Sequence, residues 1–119
     1  PITLAEALRR EARPDRVLVV DCLTLWLTNL LLAEGFDDAA PWAPSPTYQR
    51  ERAALLEVLP TLPGELLLIG NEVGQGIVPM GPLNRVFVDE NGRLHQALAQ
   101  CCDTVVFVMA GCVLPLKGR

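Results

Sequence analysis

The feature that most limits the fold is a trio of short, unbroken apolar runs, each ending on polar or glycine residues. They are Val17-Leu18-Val19-Val20 before Asp21, Glu65-Leu66-Leu67-Leu68-Ile69 before Gly70-Asn71-Glu72, and Thr104-Val105-Val106-Phe107-Val108 before Met109-Ala110-Gly111. Continuous runs of this length suit strands buried on both faces, as in a parallel sheet under helices. The segments between them carry helical spacing. Ile2 to Arg10 sets Leu4 and Leu8 on one side, and Leu23 to Glu34 is closed by Gly35. Thr47 to Leu59 is closed by Pro60, and a last helix runs from about Leu83 to Cys102, with an interruption expected at the turn dipeptide Asn91-Gly92. Alternating strands and helices predict right-handed crossovers and an α/β fold: an open, mostly parallel sheet flanked by helices, with the three runs as neighbours. Asp37 to Pro46 holds three prolines and no apolar period, and reads as a surface loop between helices. With no repeat, low-complexity tract or composition break, residues 1–119 read as a single domain.

Composition removes several function classes. Half of the residues are hydrophobic and the mean hydropathy is +0.30, which fits an aliphatic interior and not a disordered tail. The longest membrane-span candidate, Val17 to Leu32, is broken by Asp21, Thr24, Thr28 and Asn29, and no signal peptide is visible, so a cytoplasmic protein without a membrane span is expected. The first residue is proline, the only methionines are Met80 and Met109, and the first helix begins abruptly; the sequence is expected to be a fragment of a longer chain. A net charge of -4 argues against nucleic acid as a partner, because phosphate backbones need clustered cations. Lys117 is the only lysine among ten basic residues. Cys22, Cys101, Cys102 and Cys112 form no C-x-x-C, and His95 is the only histidine, so the cysteines read as small buried thiols, not as zinc ligands or bridges.

Ligands of an open parallel sheet bind at the carboxyl ends of its strands. Asp21 and Glu72 follow two of the three runs. An aspartate directly after a buried strand suits the magnesium that accompanies nucleotide phosphates, and equally suits capping the helix that starts near Leu23. The stretch Gly70-Asn71-Glu72-Val73-Gly74-Gln75-Gly76-Ile77-Val78-Pro79 is more specific. Three glycines in seven residues permit positive φ and close approach of backbone to a ligand, with an amide and a carboxylate interleaved. It matches neither G-x-x-x-x-G-K-[ST] nor G-x-G-x-x-G, and a functional loop is favoured over a tight structural turn.

That stretch resembles the adenosylcobinamide kinase and adenosylcobinamide-phosphate guanylyltransferase family, whose hallmark Asn-Glu-Val-Gly-x-Gly-Ile-Val-Pro is met by Asn71 to Val73, Gly74 and Gly76 to Pro79. The family's downstream pattern is met by Leu83, Arg85, Phe87, Asp89, Gly92, Arg93 and Gln96, and its upstream one by Val20-Asp21-Cys22-Leu23-Thr24 and Thr28-Asn29-Leu30-Leu31. Gly111 and Leu116-Lys117 are similar to its C-terminal end. There are departures. The family opens with a Walker A strand and loop and carries a histidine that becomes guanylylated. No Walker A pattern occurs here, and His95 stands where the family more often has asparagine, so His95 is read as an exposed or half-buried helical residue and no catalytic residue is assigned.

The resemblance implies a P-loop NTPase, RecA-like fold lacking its N-terminal P-loop strand and helix. It implies two late steps of adenosylcobalamin assembly: phosphorylation of adenosylcobinamide by a nucleoside triphosphate, then transfer of GMP from GTP to adenosylcobinamide phosphate through a histidine nucleophile. The substrates are then adenosylcobinamide with GTP or ATP, the cofactor is Mg2+, and the assembly is a homotrimer. Asp21 becomes the nucleotide and metal contact, and Asn71, Glu72, Gly74 and Gly76 the loop at the site rim. The sequence by itself is expected to be inactive. Two alternatives stand beside this reading: a catalytically silent binding or assembly module derived from the same family, and an unrelated parallel α/β domain whose glycine-rich loop is coincidental. The latter would scatter Asp21 and Glu72 to opposite ends of the sheet.

Overall fold

The structure, a computed structural model, describes residues 3–33, 35, 41–71 and 81–118. Helix α1 (Leu4–Glu11) leads to strand β1 (Val17–Asp21), then helices α2 (Leu23–Leu32) and α3 (Pro46–Val58). A 3-10 turn at Leu59–Thr61 precedes strand β2 (Glu65–Ile69), helix α4 (Pro82–Cys101) and strands β3 (Val105–Met109) and β4 (Cys112–Lys117). Helix α3 starts where it does because Ser45 Oγ accepts from the Tyr48 N–H at 3.1 Å and Pro46 occupies the first turn, where its missing N–H costs nothing. Helix α2 is held chiefly by burial: Leu23, Trp26, Leu27, Leu30 and Leu31 all face the interior. They meet Leu4 and Leu8 of α1, Tyr48 and Leu55 of α3, and Leu94 and Leu98 of α4. Each leucine so buried contributes about 1.5–3 kcal/mol relative to an exposed one.

Strands β1 and β2 pair in parallel, in register from Val17 with Glu65 to Asp21 with Ile69, as expected for the first two runs. Leu18, Val20, Leu66 and Leu68 pack against the helical core. Val17, Val19, Leu67 and Ile69 are between 45% and 56% exposed. Burial on both faces is therefore not observed. The two-residue period of a strand divides each run into two sets, and the described helices cover only one of them.

Two further expectations are corrected. The third run does not join β1 and β2 among the described residues; β3 pairs antiparallel with β4, from Val105 with Lys117 to Met109 with Cys112. Ala110 and Gly111, both at positive φ, reverse the chain in two residues, so the segment that follows is the nearest partner. Helix α4 also runs without a break through Asn91-Gly92. Asn91, Leu94 and Leu98 form one buried stripe, and its burial outweighs the roughly 1 kcal/mol that a helical glycine costs.

The turn into β2 is tight. Gly64 has φ +79°, and a Cβ there would lie 2.2 Å from the Arg13 carbonyl oxygen and 2.5 Å from that of Arg16. The adjoining Glu65 N–H donates to the same Arg16 oxygen at 3.1 Å, which fixes β2 beside the start of β1. Helices α3 and α4 are tied by a buried polar contact: the Tyr48 hydroxyl donates to Glu90 Oε1 at 2.5 Å, and Arg93 pairs with Glu90 Oε2. Trp42 stands edge-on to the Tyr48 ring, with centroids 5.7 Å apart. Burial, and then the bond to Glu90, push the Tyr48 phenol well above its ordinary value.

Gly64→Ala should destabilise the protein by about 1–3 kcal/mol, since both φ and the two backbone oxygens oppose the methyl group. The check is a urea midpoint lowered at unchanged slope, and an unchanged midpoint would refute the close approach. For Tyr48 the neutral form is favoured in the folded state. The stabilisation is present below the ordinary phenol value of 10.0 and is lost as pH rises beyond it. Unfolding at about pH 8 and about pH 11 should show a steeper alkaline loss in the parent than in Tyr48→Phe. At the lower pH, Tyr48→Phe should be weaker by about 1–3 kcal/mol, because Glu90 loses a buried donor. Parallel pH profiles for the two proteins would exclude the coupling.

Candidate functional site

Because β1 and β2 run parallel and end level, Asp21 and the Gly70-Asn71 step leave the sheet at one edge. That is the expected arrangement for Asp21 and Asn71. Glu72, Gly74 and Gly76 lie outside the described residues.

Two readings of Asp21 were open, and the geometry separates them. The residue that caps α2 is Cys22, whose Sγ accepts from the Leu25 N–H at 3.4 Å. The Asp21 side chain is exposed, and none of the hydrogen bonds or ion pairs among the described residues engages its carboxylate. The capping explanation therefore falls to the neighbouring thiol. No group of three His, Cys, Asp or Glu that could hold a metal occurs among the described residues. One free carboxylate at a strand end does suit magnesium, which takes one or two protein carboxylates and completes its shell with water and phosphate oxygens.

Asn71 is held through its backbone. Its N–H donates to Thr24 Oγ1 on the first turn of α2 at 2.9 Å, and its carbonyl oxygen accepts from Asn91 Nδ2 on α4 at 2.9 Å. Asn91 is 1% exposed, and its Oδ1 is buried with no hydrogen-bond partner. The preceding Gly70 packs against the His95 ring: a Cβ there would lie 2.4 Å from His95 Nε2, so the ring would have to shift. His95 is half-buried on α4, as expected, but its place against Gly70 was not foreseen. Neither was the role of Asn91, although the spacing Asn91, Leu94, Leu98 sets the amide on the apolar stripe. No comparable signal in the residues marks Thr24 as the partner of Asn71.

Other groups with chemical potential have structural tasks. Lys117 Nζ donates to the Ala99 and Gln100 carbonyls at 2.8 and 3.3 Å, capping the end of α4 with its charge. The cysteines are not the buried thiols expected. Cys101 and Cys112 are exposed, Cys22 and Cys102 are half-buried, and all four are free. Burial, followed by the neighbouring Cys101, pushes the Cys102 thiol up, away from the reactive thiolate. No described helix is long and apolar enough to cross a membrane.

The sequence matches the family described as cobinamide kinase / cobinamide phosphate guanyltransferase over residues 1–116. It is 52% identical to the bifunctional adenosylcobalamin biosynthesis protein CobP of Pseudomonas aeruginosa over 119 residues, covering 100% of this chain and 64% of the relative. It is 34% identical to the bifunctional adenosylcobalamin biosynthesis protein CobU of Escherichia coli over 118 residues, covering 96% of this chain and 65% of the relative. With the CobU protein of Salmonella typhimurium the identity is 36% over 108 residues, covering 87% and 60% respectively. The chain thus spans 60% to 65% of the length of these relatives. With a match that runs through both the Asp21 strand end and the Asn71 loop, the chain belongs to the cobinamide kinase / cobinamide phosphate guanyltransferase family.

Proposed function

We propose that the chain forms part of a nucleotide site in an enzyme of late adenosylcobalamin assembly. That enzyme phosphorylates adenosylcobinamide with GTP or ATP and then moves GMP from GTP onto adenosylcobinamide phosphate. The observation that supports this most is the Asp21 carboxylate, which takes no cap or ion pair among the described residues and lies opposite Ile69, two residues before Asn71, at the carboxyl edge of a parallel strand pair. Family membership gives the reaction class.

In this reading Asp21 would hold the Mg2+ that accompanies the nucleotide, and Asn71, Glu72, Gly74 and Gly76 would form the rim. A bound Mg2+ would offset phosphate charge as the transferring group moves. Phosphoryl transfer also needs a phosphate-cradling loop and positive groups, and the only lysine, Lys117, is engaged at the end of α4. These 119 residues alone therefore neither phosphorylate adenosylcobinamide nor form a guanylyl adduct, and His95 is not the nucleophile. The proposal includes a P-loop, RecA-like fold for the enzyme, assembly as a homotrimer and a cytoplasmic location. The silent binding module remains the rival that the following experiment distinguishes.

In the protein as its gene encodes it, Asp21→Asn should lower guanylyl transfer on the order of a hundredfold, because a neutral amide is a poor ligand for a hard cation. Stability should change by about 0.5 kcal/mol or less. Melting and steady-state transfer are measured on one preparation. Near-normal transfer would remove Asp21 from the site, and absence of transfer in the unsubstituted protein would favour the silent module. Covalent label on His95 after incubation with labelled GTP would overturn the assignment of that residue.

A further inference from the structure

We propose that Thr24 and Asn91 are positioning residues that fix the exit of the chain from β2, and so preset the separation of Asp21 and Asn71. The role of that separation in nucleotide handling rests on the function proposed above; the clamp itself does not.

A strand's ladder satisfies its backbone only as far as its partner extends, and β1 ends opposite Ile69. Two residues on, the N–H and C=O of Asn71 need other partners, and Asn71 is exposed enough for water to serve. Instead both groups are taken by side chains from different helices, each at 2.9 Å: the N–H by Thr24 of α2 and the C=O by Asn91 of α4. These helices also share the leucine core, through Leu23 and Leu27 on one and Leu94 and Leu98 on the other. The clamp is therefore anchored in the buried leucine core.

Asn91 makes the second point. It lies on the stripe otherwise filled by Leu94 and Leu98, is 1% exposed, and leaves its Oδ1 unpartnered. Burying an amide with its oxygen unpaired costs stability, and a leucine there would pack without that cost. Among the described residues its side-chain bond goes to Asn71, and that bond is what the position provides. Gly70 closes the third side, packed so near the His95 ring that a Cβ there would have to displace it. On the other strand Asp21 stands three residues before Thr24, so the start of α2 locates both Asp21 and the N–H of Asn71. Holding two groups in a set geometry before a ligand arrives is the usual source of orientation effects in catalysis.

The test uses the protein as encoded, with Thr24→Val, which keeps shape and removes the hydroxyl, Thr24→Ser, which restores it, and Asn91→Leu. Native-state amide exchange is read at Asn71 and, as a core control, at Leu55. Thr24→Val should speed exchange at Asn71 about threefold to tenfold, with Leu55 unchanged, and Thr24→Ser should reverse it. Asn91→Leu should also speed exchange at Asn71 without slowing refolding of the core. Unchanged exchange at Asn71 in both variants, or equal acceleration at Leu55, overturns the clamp. In an active protein, kcat for GMP transfer should fall about tenfold in Thr24→Val and recover in Thr24→Ser, with the melting temperature held. A loosened Asn71 with full kcat overturns the positioning role. Because exchange is read without turnover, an inactive parent counts against the proposed reaction and leaves the clamp to be judged on exchange alone.

Discussion

The parallel register of β1 with β2 is the constraint from which the candidate site follows. Asp21 opposite Ile69 sets two chain exits at one edge, one into α2 and the other at Asn71. A slip of one residue would turn Leu66 and Leu68 away from the helices and bring Leu67 and Ile69 toward them. It would also break the contact of Glu65 with Arg16 and the fit of Gly64 against the α1–β1 connection. Register is thus held at the start of the strands by the Gly64 turn, along them by the leucine core, and at their ends by Thr24 and Asn91.

How much of this could be read from the residues depends on the range of the interaction. The helices and the first two strands were legible because their signals are local: apolar spacing, the closing Gly35 and Pro60, and runs that stop at Asp21 and Gly70. The parallel pairing of those runs followed from their alternation with helices. The partner of the third run was not legible, because Val105 to Val108 has the same apolar character whichever strand lies beside it. The reversal depends on Ala110 adopting positive φ, which nothing in an alanine advertises. Asn91-Gly92 misled for a related reason. The pair has turn chemistry, yet at this position asparagine sits on a buried helical stripe, and tertiary burial overrode the local preference.

The candidate site divides the same way. Asp21 and Asn71 were visible as strand-end residues, and the sheet brings them to one edge. What the residues did not reveal is how each is held. Side-chain to backbone bonds across 47 and 20 residues of sequence leave no periodic trace, so Thr24 and Asn91 emerge only from the packed structure. His95 shows a further limit: its contact with Gly70 is a matter of two elements meeting, and neither residue type points to the other.

The first turn of α2 ties these observations together. A thiol is a weak acceptor, and Cys22 caps the helix over 3.4 Å, so the cap adds less than a serine or aspartate would. Asp21 stands next to that cap without serving it, and the Thr24 Oγ1 accepts from the Asn71 N–H. A helix with these assignments at its start needs another source of stability. Leu23, Leu27 and Leu30, each 2% exposed or less, supply it by burial. The apolar length of α2 is therefore what frees its N-terminal residues for the edge of the sheet. The same logic holds in α4, where Leu94 and Leu98 keep the helix in place while Asn91, between them and the sheet edge in sequence, spends its amide on Asn71.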